Sequence, residues 1–211
     1  MARGRAPNYA SQREAILAQA AVLFARQGYS GTSMNQVAAA CGISKPALYH
    51  YVRDKQQLVA TIAQEHVARL EAVVRDVLRL PLEPEPRLRE LILRFMAEYA
   101  GAQDAHRVLT EDVRYLDTEA RERVIAAERR VVDAFAAAVA AVRPGAETFA
   151  MDKPLAMLLF GMINWMFTWI KPDGRLSYDD MAPVVCDLFF GGVGAVKFAH
   201  AERGAHTSIA A

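Results

Sequence analysis

Cysteine is scarce in this 211-residue chain, which contains only Cys41 and Cys186. The two lie far apart among apolar residues, and neither belongs to a spacing that is typical of metal ligands. This excludes a disulfide framework and is typical of buried thiols in a reducing compartment. The first ten residues, MARGRAPNYA, contain no apolar core. We therefore expect no signal peptide and predict a cytoplasmic protein that does not associate with a membrane.

The sequence also lacks the motifs that carry common enzyme chemistry. It contains no glycine-rich phosphate loop, no HExxH pair and no nucleophile elbow, and its five histidines show no ligand spacing. We interpret His66 and His106 as core or surface residues rather than metal ligands. We therefore predict that the protein is not an enzyme and holds no metal and no cofactor. The alternative in that class is an enzyme with an unfamiliar helical active site.

Long apolar runs are rare, and one of them needs an explanation. PLAMLLFGMINWMFTWI, residues 154–170, reaches the lower edge of a membrane span in length. Because the run is short and contains Asn164 and Thr168, we interpret it as a helix that is buried on several sides. A membrane-anchored helical protein is the alternative from another class.

Net charge is almost absent at +1, but it is unevenly distributed. Residues 1–56 contain seven basic and two acidic residues, a net charge of +5, which leaves about −4 on the remainder. A basic end on a mildly acidic body is consistent with a nucleic-acid contact that is confined to one end. Arg3 and Arg5 in the first ten residues either reach DNA or are incidental charges on a loose terminus.

The stretch from Ser33 to Lys55, SMNQVAAACGISKPALYHYVRDK, predicts two short helices joined by a tight turn. Gly42 permits the sharp turn because it adopts positive φ without a Cβ clash. Ser44 can cap the second helix, and Pro46 is tolerated in a first turn. Apolar or small residues occupy the inward positions Val37, Ala38, Cys41, Ile43, Leu48 and Tyr51. The pattern indicates a helix-turn-helix with an exposed recognition helix; an ordinary helical hairpin is the alternative.

The run REAILAQAAVLFARQGYSGTSMNQVAAACGISKPALYHYVRDKQQLVATI resembles the N-terminal domain of TetR-family transcriptional regulators. The pieces that carry the resemblance are LFARQGYSGTSM, VAAACGISKPALYHYV and DKQQL. The resemblance implies an all-helical homodimer, usually a repressor, with a small-molecule pocket in its C-terminal part. Activation instead of repression stays open.

The resemblance and the helix-turn-helix geometry together predict the DNA contacts. Lys45 can donate to guanine, and Ala47 can contact a thymine methyl group. Hydroxyls, a helix N-terminus and basic charge suit phosphates, and Ser33 and Ser44 also have a role as helix caps. The predicted DNA-binding residues are Thr32, Ser33, Ser44, Lys45, Pro46, Ala47, Tyr49, His50 and Lys55.

The predicted fold is all-α, with a three-helix DNA-binding domain at 1–56, a helical bundle for ligand binding and dimerisation at 57–200, and a loose tail at 201–211. A Ser11–Glu14 capping box predicts the first helix start, and Gly28 its end. Further capping boxes begin at Ser33 and Asp54. The later helices are predicted at Lys55–Leu80, Arg87–Ala102, Ala105–Tyr115, Thr118–Val142 and Lys153–Ile170, with a last helix capped by Ser177. The last two should form the homodimer interface.

The inner faces of the middle helices combine aromatic groups with a few polar ones, as a small-ligand site requires. The candidate ligand-binding residues are Met96, Tyr99, His106, Leu109, Phe135, Phe160, Asn164 and Trp165, although each could be ordinary core.

FGMINWMFTWIKPDGRLSYDD resembles, more weakly, TetR-type regulators of aromatic or fatty acid breakdown that respond to CoA thioesters. The resemblance implies an acyl-CoA or aryl-CoA effector such as phenylacetyl-CoA. Arg143, Lys171 or Arg175 would then meet its phosphates. A repressor of an efflux or stress operon that senses an apolar, drug-like ligand is the alternative.

Overall fold

The computed structural model describes residues 6–171 and 174–196. Within these ranges the chain forms α helices and two short 3₁₀ turns, with no strand, which confirms the predicted all-α fold class. The helices are α1 (Ala6–Gly31), α2 (Met34–Ala40), α3 (Lys45–Tyr49), α4 (Lys55–Leu78), α5 (Pro84–Gly101), α6 (Gln103–Glu111), α7 (Thr118–Val142), α8 (Asp152–Asn164) and α9 (Tyr178–Val193). Arg3, Arg5 and the predicted tail at 201–211 lie outside the described residues.

The first helix begins earlier than the sequence predicts. It is helical from Ala6, so the predicted start at Ser11 is wrong; Pro7 falls in the first turn, where a missing N–H costs no hydrogen bond. Helical geometry is interrupted at Gly28, which has a φ of 72°. Glycine adopts this conformation readily because it has no Cβ. The predicted end of the regular helix is therefore confirmed.

The helix-turn-helix has the local structure that the sequence predicts. Ser33 and Gln36 form a reciprocal capping box at the start of α2, and the turn after α2 contains Gly42 at a φ of 66°. Ser44 caps α3 by accepting a hydrogen bond from the Ala47 N–H at 3.3 Å. α2 and α3 pack together, and α2 packs against α1 through a small apolar core that includes Ile16, Phe24, Val37 and Leu48.

The long helix α4 leaves this module and enters the body of the protein. Its Asp54 cap accepts a hydrogen bond from the Gln57 N–H at 2.7 Å, as predicted, but the Gln57 side chain accepts from the Arg53 N–H instead of completing a box. α4 packs against α1, α5, α6 and α7. It is therefore in contact with both the helix-turn-helix module and the C-terminal bundle.

α8 is shorter than the predicted helix to Ile170. The α-helical geometry ends at Asn164, and a 3₁₀ turn follows at Met166–Thr168. The Thr168 hydroxyl donates to the Trp165 carbonyl at 2.7 Å, so a side chain competes for a backbone acceptor at the break. In the described part of the chain, none of the helices has the length and apolar character needed to cross a membrane.

Apolar side chains remain exposed on the outer surface of α8 and α9, although these helices also pack inward on α7 and α5. Leu158 is 65% exposed and Leu188 is 64% exposed. Met157 and Val184 are exposed on the same two helices. Exposed apolar side chains gathered on two helices are typical of an association surface.

Candidate DNA interface and ligand cavity

The recognition helix α3 presents most of the predicted DNA contacts to solvent. Ser44, Lys45, Pro46 and His50 are exposed, and Tyr49 is 45% exposed although it is a large aromatic residue. Ala47 is half-buried. An exposed tyrosine beside an exposed lysine on a helix of this kind is suited to contact base edges and phosphates in the major groove.

Two predicted phosphate contacts have internal partners instead. Thr32 is 1% exposed, and its hydroxyl donates to the Gly28 carbonyl at 3.0 Å. The Lys55 ammonium donates to the carbonyls of Tyr29 at 2.7 Å and Thr32 at 2.9 Å, and it lies 4.1 Å from the centre of the Tyr29 ring. These groups stabilise the turn between α1 and α2, and their predicted contacts with phosphates stay a prediction.

The end of the recognition helix is braced from α1. The Tyr9 ring stacks on Tyr51 with centroids 4.7 Å apart, and the Tyr9 hydroxyl donates to the His50 carbonyl at 3.3 Å. Tyr51, assigned to the core from sequence, is half-buried in this contact. The brace fixes the orientation in which Tyr49 and His50 are presented.

A cavity of about 620 Å³ lies between α4, α5, α6, α7 and α8. Its volume is within the range of small-molecule sites. Its walls are mostly apolar side chains with a few polar groups. The lining residues are Val67, Leu70, Tyr99, His106, Leu109, Thr110, Ile125, Glu128, Arg129, Val131, Val132, Lys153, Pro154, Met157, Phe160 and Asn164.

The cavity includes five of the eight predicted ligand-binding residues: Tyr99, His106, Leu109, Phe160 and Asn164. The other three do not line it. Met96 and Phe135 are fully buried in the core, where Phe135 packs edge-on against Phe95 at 4.7 Å. Trp165 is 61% exposed, because it lies where α8 ends and its side chain faces outward.

Sequence reasoning missed the walls that α4 and α7 contribute. Val67 and Leu70 on α4 line the cavity, although in sequence they fit the apolar stripe of any long helix. Glu128 and Arg129 on α7 also line it, although charged residues are typical of a solvated helix face. Partial burial raises the pKa of the Glu128 carboxyl group, because the charged form is less well solvated there. Only the tertiary packing of α7 on α4 distinguishes these positions from surface ones.

A chain of polar side chains crosses the inner wall of the cavity. The Tyr99 hydroxyl donates to the Asn164 side-chain oxygen at 2.8 Å, and the Tyr99 ring stacks on His106 at 4.0 Å between centroids. His106 Nδ1 lies 3.3 Å from His66 Nε2, and His66 Nδ1 lies 3.2 Å from a guanidinium nitrogen of Arg69.

The two histidines in this row of polar side chains, His66 and His106, are buried and uncharged. Burial is the largest cause that lowers the pKa of His66 to about 3, and the neighbouring His106 and Arg69 contribute to the same shift. Burial lowers the pKa of His106 to about 4, against a smaller opposing effect of the Asn164 backbone carbonyl. Burial also raises the pKa of the Tyr99 hydroxyl. The inner wall therefore offers neutral hydrogen-bonding groups at physiological pH.

The basic residues that line this cavity differ from those predicted to bind the phosphates of CoA, which were Arg143, Lys171 and Arg175. Arg129 and Lys153 line it, and Lys153 forms an ion pair with Asp133 at 2.7 Å. Arg143 instead donates to the Val196 carbonyl at 2.9 Å. Lys171 lines a second, larger cavity of about 840 Å³ beside α1, together with Arg26, Arg69 and Arg107. Arg175 is exposed and lines neither cavity.

The helix that carries His106 also contacts the DNA-binding module. α6 packs against α1, and just beyond its end Asp112 accepts a hydrogen bond from the Tyr29 N–H at 3.2 Å. The Tyr115 ring stacks on Tyr29 at 4.8 Å between centroids. The cavity wall and the turn before the recognition module are thus joined through one short helix. The described residues contain no cluster of acidic, histidine or cysteine side chains suited to a metal ion.

Comparison with known families matches two models to this chain. Residues 16–62 match the family described as bacterial regulatory proteins, tetR family, and residues 81–193 match the one described as tetracyclin repressor-like, C-terminal domain. A TetR-family transcriptional regulator from Bordetella parapertussis is 36% identical, with a TM-score of 0.81, over 89% of this chain and 98% of that one.

Other relatives differ in how much of the chain they match. AibR, solved in complex with isovaleryl coenzyme A and operator DNA, is 28% identical with a TM-score of 0.73, over 84% of this chain and 97% of that one. The repressor KstR2 of Mycolicibacterium smegmatis is 25% identical over 87% of this chain and 91% of its own length. The activator FasR of the same organism is 28% identical over 58% of this chain, and the chain spans only 56% of FasR.

Proposed function

This chain belongs to the TetR family of bacterial transcriptional regulators, and we propose that it is a repressor released from its operator by an acyl-CoA or aryl-CoA. The observation that carries the proposal is the mostly apolar cavity beside a helix that contacts the DNA-binding module. The protein acts as a cytoplasmic binding protein rather than an enzyme. Its partners are operator DNA, the effector and a second copy of itself.

Each half of the function is supported by a separate surface. The exposed residues Lys45, Tyr49 and His50 support DNA binding through α3, with Ser33, Ser44, Pro46 and Ala47 as further contacts. The exposed apolar side chains of α8 and α9 support a homodimer that would present two such helices to two half-sites. The DNA-binding domain corresponds to residues 1–56 and the effector and dimerisation domain to residues 57–200.

The ligand class rests on the shape and chemistry of the cavity. An acyl or aryl group would fill the apolar interior, while Arg129 and Lys153 at the edge would meet CoA phosphates in place of the residues predicted from sequence. The relative AibR, whose structure contains isovaleryl coenzyme A, supports the same class.

The mechanism follows from linkage. An effector that binds one conformation of the dimer more tightly shifts the population towards it, by as much as its affinities for the two states differ. α6 and α4 both line the cavity and both pack against α1. A ligand that moves either helix therefore changes the spacing of the two recognition helices.

Fluorescence anisotropy tests the proposal with DNA from the region upstream of the gene, titrated with protein. Isovaleryl-CoA, phenylacetyl-CoA and their free acids are added in turn. We expect tight binding that a thioester reverses and the free acid does not, and we expect Tyr49→Ala to abolish binding without changing the melting temperature. Tight operator binding that no thioester reverses would contradict a CoA thioester as the effector. Wild-type operator affinity in Tyr49→Ala would contradict the proposed orientation of α3 on the DNA.

A further inference from the structure

One buried polar atom in the cavity wall has no partner. His106 is 2% exposed, and no described residue meets hydrogen-bond geometry with its Nε2, although the nearby Asn164 backbone carbonyl raises the pKa of the ring. A buried donor without an acceptor is unfavourable, because it has lost the hydrogen bonds that water gives it in the unfolded chain. Since His106 also lines the apolar cavity, the group that would satisfy this atom can come from a ligand inside it.

The protonation of His106 can be traced along the polar chain from α4. A guanidinium group only donates hydrogen bonds, so His66 Nδ1, 3.2 Å from Arg69, must be the unprotonated nitrogen of that ring. The proton of His66 is therefore on Nε2, which donates to His106 Nδ1 at 3.3 Å. His106 must then carry its own proton on Nε2.

The hydrogen-bonded row Arg69–His66–His106 is fixed in position at both ends. Arg69 forms an ion pair with Glu98 on α5 at 2.6 Å, which fixes the guanidinium group against His66. The His106 ring is clamped by Tyr99, stacked at 4.0 Å, and by the edge of Phe167 at 5.7 Å. The Nε2–H donor is therefore preorganised in both tautomer and orientation, as specific recognition requires.

The neighbouring polar groups restrict what the acceptor can be. The Asn164 side-chain oxygen is occupied by the Tyr99 hydroxyl, so Asn164 offers N–H groups to the cavity. Both cations that line the cavity, Arg129 and Lys153, are exposed, and the half-buried Glu128 carboxyl group would repel an anion. A carboxylate next to His106 would lie in an apolar interior with no buried cation.

We propose that His106 donates a hydrogen bond from Nε2 to a neutral carbonyl oxygen of the effector, and that Arg69 and His66 are the positioning residues that hold this donor in place. The effector is then an acyl compound, such as a thioester, with an apolar body. This inference rests on the proposed function, because it assigns the chemistry of the same cavity. It also links the ligand to α4 through His66.

The test compares ligands that differ only in the carbonyl group. Isovaleryl-CoA and phenylacetyl-CoA are each paired with the thioether analogue in which the carbonyl is a methylene group, and binding is measured by calorimetry. We expect the wild-type protein to prefer each thioester by about tenfold or more. His106→Phe should bind both members of a pair equally, within about twofold. The matched control, Phe160→Leu, should weaken both members but keep the preference.

A ligand-free measurement keeps the inference testable if His106→Phe fails to fold. Long-range ¹H–¹⁵N spectra of the wild-type histidines should show both His66 and His106 as the Nε2–H tautomer at pH 7. In a folded Arg69→Leu variant, where the constraint on His66 is removed, the Nδ1–H form should become populated. A wild-type His106 in the Nδ1–H form would overturn the inference.

The outcomes separate this inference from the proposed function. A protein that binds its operator but none of the thioesters, or that binds thioester and thioether equally, would overturn the carbonyl contact and leave DNA regulation standing. A protein that binds the thioesters with the expected preference but no DNA would support the contact and contradict the regulatory proposal.

Discussion

Lys55 and Lys45 show how two lysines of one module can have different tasks. Lys55 donates to the backbone carbonyls of Tyr29 and Thr32 and covers the Tyr29 ring, whereas Lys45 is exposed on α3. The sequence places both beside the predicted DNA surface and cannot distinguish them. Only the fold brings the turn after Gly28 next to the start of α4.

The first prediction separates these two tasks. Lys55→Met should lower the free energy of unfolding by about 2 kcal/mol, because two carbonyls lose a charged donor. It should leave the dependence of operator affinity on salt unchanged. Lys45→Met should keep the stability and flatten the salt dependence by about one unit, since it removes one phosphate or base contact. Urea unfolding and anisotropy at several salt concentrations measure both. A flattened slope for Lys55→Met would restore it as a phosphate contact.

At the scale of helices, local signals predict starts better than ends. The capping residues Ser33, Asp54 and Ser177 begin helices where the sequence predicts them, because each cap depends on neighbours within four residues. The end of α8 was wrong by six residues, because an apolar run continues beyond Asn164 while the backbone leaves helical geometry. Which side of α7 faces a cavity depends on packing, and periodicity alone does not specify it.

The second prediction concerns α6 as the connection between cavity and DNA module. Asp112→Ala removes the carboxylate that accepts from the Tyr29 N–H at 3.2 Å. We expect the effector to bind with unchanged affinity but to change operator affinity at least several-fold less than in the wild type, since the coupling between the sites is reduced.

Glu111→Ala is the matched control for Asp112→Ala. Glu111 is the adjacent residue, and its salt bridge to Arg107 is exposed and contributes little. Anisotropy with and without phenylacetyl-CoA gives the coupling for both variants. If the effector still releases the DNA fully in Asp112→Ala, the contact between α6 and Tyr29 does not carry the coupling between effector binding and operator binding.

The stability of the whole molecule should depend on pH through the two buried histidines. His66 and His106 have pKa values lowered to about 3 and about 4, from an ordinary value of 6.5. Between pH 5 and 6.5 the unfolded chain therefore binds up to two more protons than the folded one. The free energy of unfolding should fall on acidification, by at most about 2.7 kcal/mol per pH unit.

Urea unfolding between pH 6.5 and 5.0 measures this slope, in a range where few carboxylates titrate. The double variant His66→Leu, His106→Leu should have a nearly flat profile, since its core contains no titrating imidazole. Parallel profiles for the wild type and the double variant would mean that the histidines are protonated in the folded state, contrary to their burial.

The cavity and the association surface are properties of the assembled molecule, which explains why the sequence predicted them only in part. Tyr99, His106 and Asn164 could be expected because polar residues in apolar stripes stand out. Val67, Glu128 and Met157 could not, because each is unremarkable in its own helix and reaches the cavity only through packing between helices. The exposed side of α8 is similar: its residues look like core until the fold leaves them uncovered.

The last prediction tests that uncovered side. Leu158→Glu together with Leu188→Glu places one carboxylate on α8 and one on α9. Burial of each leucine side chain in a dimer interface would contribute about 1.5–3 kcal/mol to association. We expect light scattering to show monomers, and we expect operator affinity to fall by at least about a hundredfold, because one recognition helix contacts only one half-site. Leu78→Glu, which alters a 51% exposed leucine at the end of α4, should remain dimeric and bind DNA. A dimer in the double variant would place the interface elsewhere, and the operator would then have to be read by a differently spaced pair of α3 helices.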